Sequence, residues 1–123
     1  MALELMELTD RIIAAAIKVH KKLGPGFLES IYEKALVLEM RKRGLRADQQ
    51  VEIGVHYDGI LVGTHRLDLL VEGIVVVELK TVKNLEDAHF STVRSYLKAL
   101  GKHHGLLLNF SKATLEIKRV ICN

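Results

Sequence analysis

The sequence offers one constellation suited to chemistry: Asp68, followed by Glu78-Leu79-Lys80. In an extended strand, positions 78 and 80 point to one face, so a carboxylate and an ammonium stand side by side. Asp68 belongs to the preceding strand, across a turn at Glu72-Gly73. A two-residue turn there would set Asp68 opposite Val77, on the wrong face. A three-residue loop centred on Gly73 sets it opposite Glu78, and this arrangement or an equivalent bulge is expected because glycine tolerates positive φ. Two carboxylates converging from adjacent strands make a hard-oxygen site for Mg²⁺ or Mn²⁺. Such an ion polarises a phosphate oxygen and acidifies a bound water. Lys80 could orient that water or stabilise the charge of a pentavalent phosphorane.

The bland alternative is that an ExK on a strand is a surface ion pair. Context argues for more. The pair follows Ile74-Val75-Val76-Val77, where charges are costly unless paired or functional. Other candidates are weaker. The adjacent His103-His104 are poorly placed to chelate one ion. His20, His56, His65 and His89 show no ligand spacing with Cys122, which argues against zinc. Gly24-Pro25-Gly26 lacks the Lys and Ser/Thr of a phosphate-binding loop. Arg41-Lys42-Arg43, with Arg46, could track a phosphate backbone, but a solvated helix end explains them without a ligand.

The elements that must position these residues alternate in type. Leu8, Ile12, Ala15 or Ala16, Val19 and Leu23 recur at helical spacing within a helix from Leu3 to Leu23. Thr9 or Asp10 could cap it internally if its first residues fray, and Gly24-Pro25 ends it. A second helix runs from about Leu28 to Arg43, with Leu28, Ile31, Tyr32, Ala35, Leu38 and Met40 as its apolar stripe; Gly44 closes it. The period then changes to two: Val51, Ile53, Val55 and Tyr57 mark a strand, Asp58-Gly59 a hairpin turn, and Ile60 to Val71 the return, bulged near Gly63. Ile74 to Lys80 is a third strand, whose run Ile74-Val75-Val76-Val77 is apolar on both faces, so it should be central. A third helix spans Asn84–Glu86 to Leu100, with Val93, Tyr96, Leu97 and Leu100 inward and Gly101 at its end. Strands over Gly105–Phe110 and Thr114–Ile121 complete one α/β domain, residues 1–123.

Composition sets the outer bounds. The chain has 123 residues, 49% hydrophobic and 27% charged, enough for one core and against disorder. Trp is absent and aromatics make up 5%, so the core must be aliphatic. One cysteine, Cys122, cannot form an internal disulfide, which favours a reducing, cytoplasmic setting. The acidic start lacks a secretory pattern, and Ile12–Ile17 is too short to span a bilayer, so no membrane partner is expected. A net charge of +3 is compatible with nucleic acid without requiring it.

Gly26-Phe27-Leu28-Glu29-Ser30-Ile31-Tyr32 resembles the signature for which the GxxExxY family is named. The likeness continues through Glu33-Lys34-Ala35-Leu36, Val77-Glu78-Leu79-Lys80 and Gly105-Leu106-Leu107-Leu108-Asn109-Phe110, and so covers nearly the whole chain. That family is placed among the PD-(D/E)xK nucleases, which implies an α/β fold with an αβββαβ core and mixed central sheet. The element order above contains that core plus one N-terminal helix and one C-terminal strand. The resemblance implies a metal-dependent nuclease acting on DNA ahead of RNA. Glu29 would join Asp68 and Glu78 as a metal ligand, and Lys80 would complete the catalytic set. The competing role for Glu29 is a first-turn acid stabilised by the helix dipole. Tyr32, Thr92 and Tyr96 would contact substrate, although Tyr32 also suits a core position with its hydroxyl at the edge. Related nucleases often carry Gln four residues before the Tyr of the third helix; here that position is Thr92, with shorter reach and no amide fork. This departure, with few loops to wrap a duplex, leaves a second reading. It is a binding module for nucleic acid or protein that keeps the fold without efficient catalysis. A homodimer is one way to complete a groove.

Overall fold

The computed structural model describes residues 3–123, and side-chain surroundings from residue 5 onward. Helices α1 (Leu3–Leu23) and α2 (Glu29–Lys42) precede strands β1 (Ala47–Tyr57), β2 (Ile60–Val71) and β3 (Val75–Lys80). Helix α3 (Asp87–Leu100), β4 (His104–Asn109) and β5 (Glu116–Ile121) follow. The five strands lie in the order β1-β2-β3-β4-β5. Only the β3–β4 pair is parallel; the other three are antiparallel. A parallel neighbour needs a crossover, and α3 supplies it. The sheet is therefore mixed, and the αβββαβ order is present with α1 before it and β5 after it.

Each face of the sheet carries its own apolar cluster. Helices α1 and α2 pack Ile12, Ala15, Ala16, Tyr32, Leu36 and Met40 against Val75, Val77, Leu79, Leu106 and Leu108. Helix α3 packs Val93, Tyr96 and Leu97 against Val76, Leu107, Leu67 and Ile53 on the opposite face. Burial from both sides explains the β-branched run of β3. The aliphatic residues of β3, Val75 to Val77 and Leu79, are wholly buried.

Two expectations about local structure need correction. Thr9 is not a cap: it lies inside α1, buried, where its hydroxyl donates to the Met6 carbonyl and accepts from Arg119. The buried stripe of α2 is also rotated. Tyr32, Glu33, Leu36, Val37 and Met40 face inward, whereas Leu28, Ile31 and Leu38 are exposed. Two apolar stripes exist on this helix, and the one that is buried includes an acid. Glu33 is tolerated because Gln49 and Gln50 both donate to its carboxylate.

Turns fix the register. Asp58 and Gly59 both have positive φ, 49° and 77°, as a two-residue hairpin of this twist requires. The β1–β2 ladder slips between Val55 and His56, opposite Leu61 and Gly63, which places the expected bulge. Between β2 and β3, Val71 pairs with Val75 and Leu69 with Val77. The loop is therefore Glu72-Gly73-Ile74, the odd-length arrangement. Both Glu72 and Gly73 are left-handed, and the Glu72 carboxylate accepts from the Arg46 N–H while its own N–H donates to the Arg46 carbonyl.

Candidate metal centre

The β2–β3 ladder ends at Leu69 and Val77, one step before Asp68 meets Glu78. There the side chains replace backbone pairing. The Asp68 N–H donates to Glu78 Oε1 at 2.7 Å, and the Leu79 N–H donates to Asp68 Oδ2 at 2.9 Å. On the other side, β1 and β2 pair at Gln49–Leu69 and Val51–Leu67 but skip the Gln50–Asp68 step. Gln50 has φ of 50°, a left-handed value rare outside glycine and asparagine. Side-chain alternation breaks at this level in both strands. Leu69 and Val71 lie on the α1–α2 side, yet Leu67 lies on the α3 side; Ala47 and Ile53 of β1 divide in the same way. Three strands thus splay along the row Gln50, Asp68, Glu78.

Helix α2 approaches that row from one side. Gln50 Nε2 donates to Glu33 Oε1 at 2.9 Å and, at 3.4 Å, to Asp68 Oδ1, so it links the helix to the strand. Glu29 is half-buried at the first turn of α2. Its carboxyl is pushed up by burial and by the Asp68 charge, and pulled back by Lys80. Glu33 is pushed up by burial, a shift its Gln49 bond opposes. Glu78 is the extreme case. Burial first, then the negative charge of Asp68, raises its carboxyl to about 8, against the Asp68 N–H and Lys80, which favour the anion. Lys80 thus opposes the upward shifts of Glu29 and Glu78, while Lys34 does so for Glu33. Among the described residues Lys80 forms no ion pair within 4.0 Å, so Glu78 is not a simple ExK salt bridge.

The donor set suits a hard dication. Mg²⁺ keeps several waters and is commonly held by one or two carboxylates plus a substrate phosphate. Asp68 and Glu78 supply that pair, and neutralising their repulsion would offset the cost of ionising buried Glu78. Among the described residues no three His, Cys, Asp or Glu side chains converge into a ready-made cage. Glu29 is coupled to the pair by charge, standing outside its hydrogen bonds.

The remaining sequence candidates divide. Tyr32 is wholly buried, stacks on Phe110 at 4.6 Å, donates to the Gly24 carbonyl and accepts from the Phe27 N–H. Its hydroxyl pins the loop that leads into Glu29. Thr92 donates to the Ala88 carbonyl of its own helix at 2.9 Å. Tyr96 lies on the α3 side, and its hydroxyl is pushed up by burial, then by Glu78 and Asp68. The sequence reading missed Gln50. Its only signal was a pair of consecutive amides ahead of the alternating run that begins at Val51.

A family model for the PD-(D/E)XK nuclease superfamily matches residues 6–120. The chain belongs to the PD-(D/E)XK nuclease superfamily. Among solved structures, SSO0001 shares the fold with a TM-score of 0.57 at 16% sequence identity. That match covers 76% of this chain and 49% of SSO0001, so this PD-(D/E)XK chain overlies about half of the larger molecule. No curated protein matches the chain significantly. Among the described residues no helix is long and apolar enough to cross a membrane.

Proposed function

We propose that this PD-(D/E)XK chain, as a member of the GxxExxY family, is a Mg²⁺- or Mn²⁺-dependent nuclease that hydrolyses phosphodiester bonds in DNA. The observation that carries this reading is the Asp68–Glu78 pair. Two carboxylates are fixed against each other by backbone N–H groups, and one is buried so deeply that it resists ionising without a cation. Asp68 and Glu78 would hold the ion, and Glu29 would add charge from α2. The ion supplies Lewis-acid polarisation of the scissile phosphate and a more acidic water. Lys80 lies on the same strand face as Glu78 and balances the charge that builds on the phosphate oxygens. Gln50 keeps Asp68 oriented through its amide.

Calorimetric titration with Mn²⁺ and cleavage of labelled single- and double-stranded DNA test the reading together. Metal binding and cleavage that both vanish in Asp68→Ala and Glu78→Ala support it. Cleavage that persists in those variants, or absence of Mn²⁺ binding by the wild-type chain, refutes it. One observation favours a second reading, a nucleic-acid-binding module without efficient turnover. The Thr92 hydroxyl, at the position where related nucleases carry a Gln amide, is engaged with its own helix. Salt-dependent DNA binding with intact substrate in Mn²⁺ distinguishes that case.

A further inference from the structure

The outer part of the β1–β2 hairpin continues past the sheet as a two-stranded ribbon, because β3 pairs only with Leu69, Leu70 and Val71. Its base packs on α3 through Ile53 and Leu67. Between this ribbon and the second half of α3 lies a groove of about 490 Å³. Gly54, His56, His65, Ser95, Tyr96 and Lys98 form its polar and open lining, and among the described residues no carboxylate belongs to it. Sites of a few hundred Å³ hold one small-molecule-sized group.

Three features give the groove a chemical character. Gly54 leaves room for the His56 ring, because a Cβ there would come within 3.2 Å of the imidazole. His56 and His65 are both exposed, and the His65 ring tilts against Tyr96 at 5.7 Å. Lys98 brings the cation, one turn beyond Arg94 on α3. Tyr96 also joins the groove to the carboxylates, since its hydroxyl feels the charges of Glu78 and Asp68. A ligand running from the carboxylate pair along this side would pass Tyr96 and enter the groove that His56 and His65 help to line.

We propose that this groove is a nucleotide subsite for a single strand leading away from the scissile phosphate. A base stacks on the His56 and His65 rings beside Tyr96, and Lys98 with Ser95 meets the adjoining phosphate. The proposal rests on the nuclease reading and adds a substrate class to it. The groove accommodates one nucleotide rather than a duplex, and an imidazole platform needs the open face of an unpaired base. Stacking of this kind is sequence-tolerant.

The test uses the full chain and a fluorescein-labelled oligothymidylate. Anisotropy is read in EDTA across a salt series, with Mn²⁺-dependent cleavage measured in parallel. Lys98→Glu and the double variant His56→Ala/His65→Ala should each weaken binding about ten-fold, the scale of one lost base stack. Lys98→Glu should also lower the salt slope by about 0.7 or more. Lys22→Glu makes the same charge change on α1 and should leave both quantities near wild type, and thermal melts confirm that all variants fold. Wild-type affinity in both groove variants, with cleavage intact, overturns the subsite and leaves the nuclease standing. Tighter binding of duplex than of single strand also overturns it. A wild-type chain that neither binds nor cleaves removes both readings at once.

Discussion

Asp68 and Glu78 exchange hydrogen bonds crosswise where the β2–β3 ladder stops: Glu78 Oε1 accepts the Asp68 N–H, and Asp68 Oδ2 accepts the Leu79 N–H. Each acid thus satisfies a backbone donor that the splayed strands would leave unpaired. The exchange fixes both carboxylates near one another. Structure and proposed metal affinity come from the same strain, because holding two anions together in a half-buried site is unfavourable until charge is neutralised.

The first consequence is a pH dependence. The Glu78 carboxyl is raised from 4.5 to about 8 in the fold. Between those values the native state binds a proton that the unfolded chain has released, so stability falls as pH rises. The contribution is fully present below the unfolded value and is lost as pH passes through about 8. Glu29 and Glu33 shift in the same direction and add to the slope. Thermal melts in EDTA should therefore show Tm declining across this window. Glu78→Gln should flatten the decline and be the more stable protein at its upper end. Mn²⁺ should raise the wild-type Tm most at high pH, since binding requires the ionised carboxylate. A wild-type slope indistinguishable from that of Glu78→Gln would refute this account of Glu78.

Asp68 can be divided into its two roles by substitution. Asp68→Asn keeps an acceptor for the Leu79 N–H and removes the charge that opposes Glu78 ionisation. Asp68→Ala leaves that N–H unpaired beside the wholly buried Leu79 side chain. The expected cost for Ala is about 1–3 kcal/mol in denaturant unfolding, whereas Asn should be near neutral or stabilising in EDTA. Both variants should lose Mn²⁺ affinity in calorimetry. Equal stability of the two would show that the Leu79 bond contributes nothing.

Gly73 sets the register that brings the acids together. Its φ is 66°, and a Cβ there would meet nothing within 4 Å. Gly73→Ala therefore tests backbone conformation without a packing change, and should destabilise by about 1–2 kcal/mol. Loss beyond that range, accompanied by loss of Mn²⁺ binding, would indicate that the loop has shortened and moved Asp68 off the Glu78 step.

Much of this was legible in the residues. The run Ile74–Val77 required cover on both faces, which Val75–Val77 have, whereas Ile74 falls in the loop before β3 and is exposed. The need to align Asp68 with Glu78 required the odd loop at Gly73, and it is present. What escaped were interactions that no periodicity encodes. The buried face of α2 includes Glu33, an acid that only becomes tolerable when Gln49 and Gln50 arrive from β1. The break in alternation at Gln50 depends on a left-handed backbone that glutamine seldom adopts, so its sequence carries no turn signal. Tyr32 matches the family signature, but its position between Phe110 and the Gly24 carbonyl emerges only when α2 docks on β4 and the loop that follows.

Tyr32 anchors the α1–α2 loop, because its hydroxyl binds both sides of it. It donates to the Gly24 carbonyl and accepts from the Phe27 N–H at 3.2 Å. Tyr32→Phe keeps the stacked ring on Phe110 and removes only these bonds, at an expected cost of about 1–2 kcal/mol. The loop enters α2 at Glu29, through Leu28, which caps the helix without any side-chain bond. With so little else holding the entry, the variant should protect the amides of residues 24–31 less in hydrogen exchange than wild type, while those of β3 keep their protection. If Tyr32 acted chiefly on substrate, stability and exchange would be unchanged and only DNA affinity would fall. That outcome would return Tyr32 to the binding surface and remove its role as the loop's anchor.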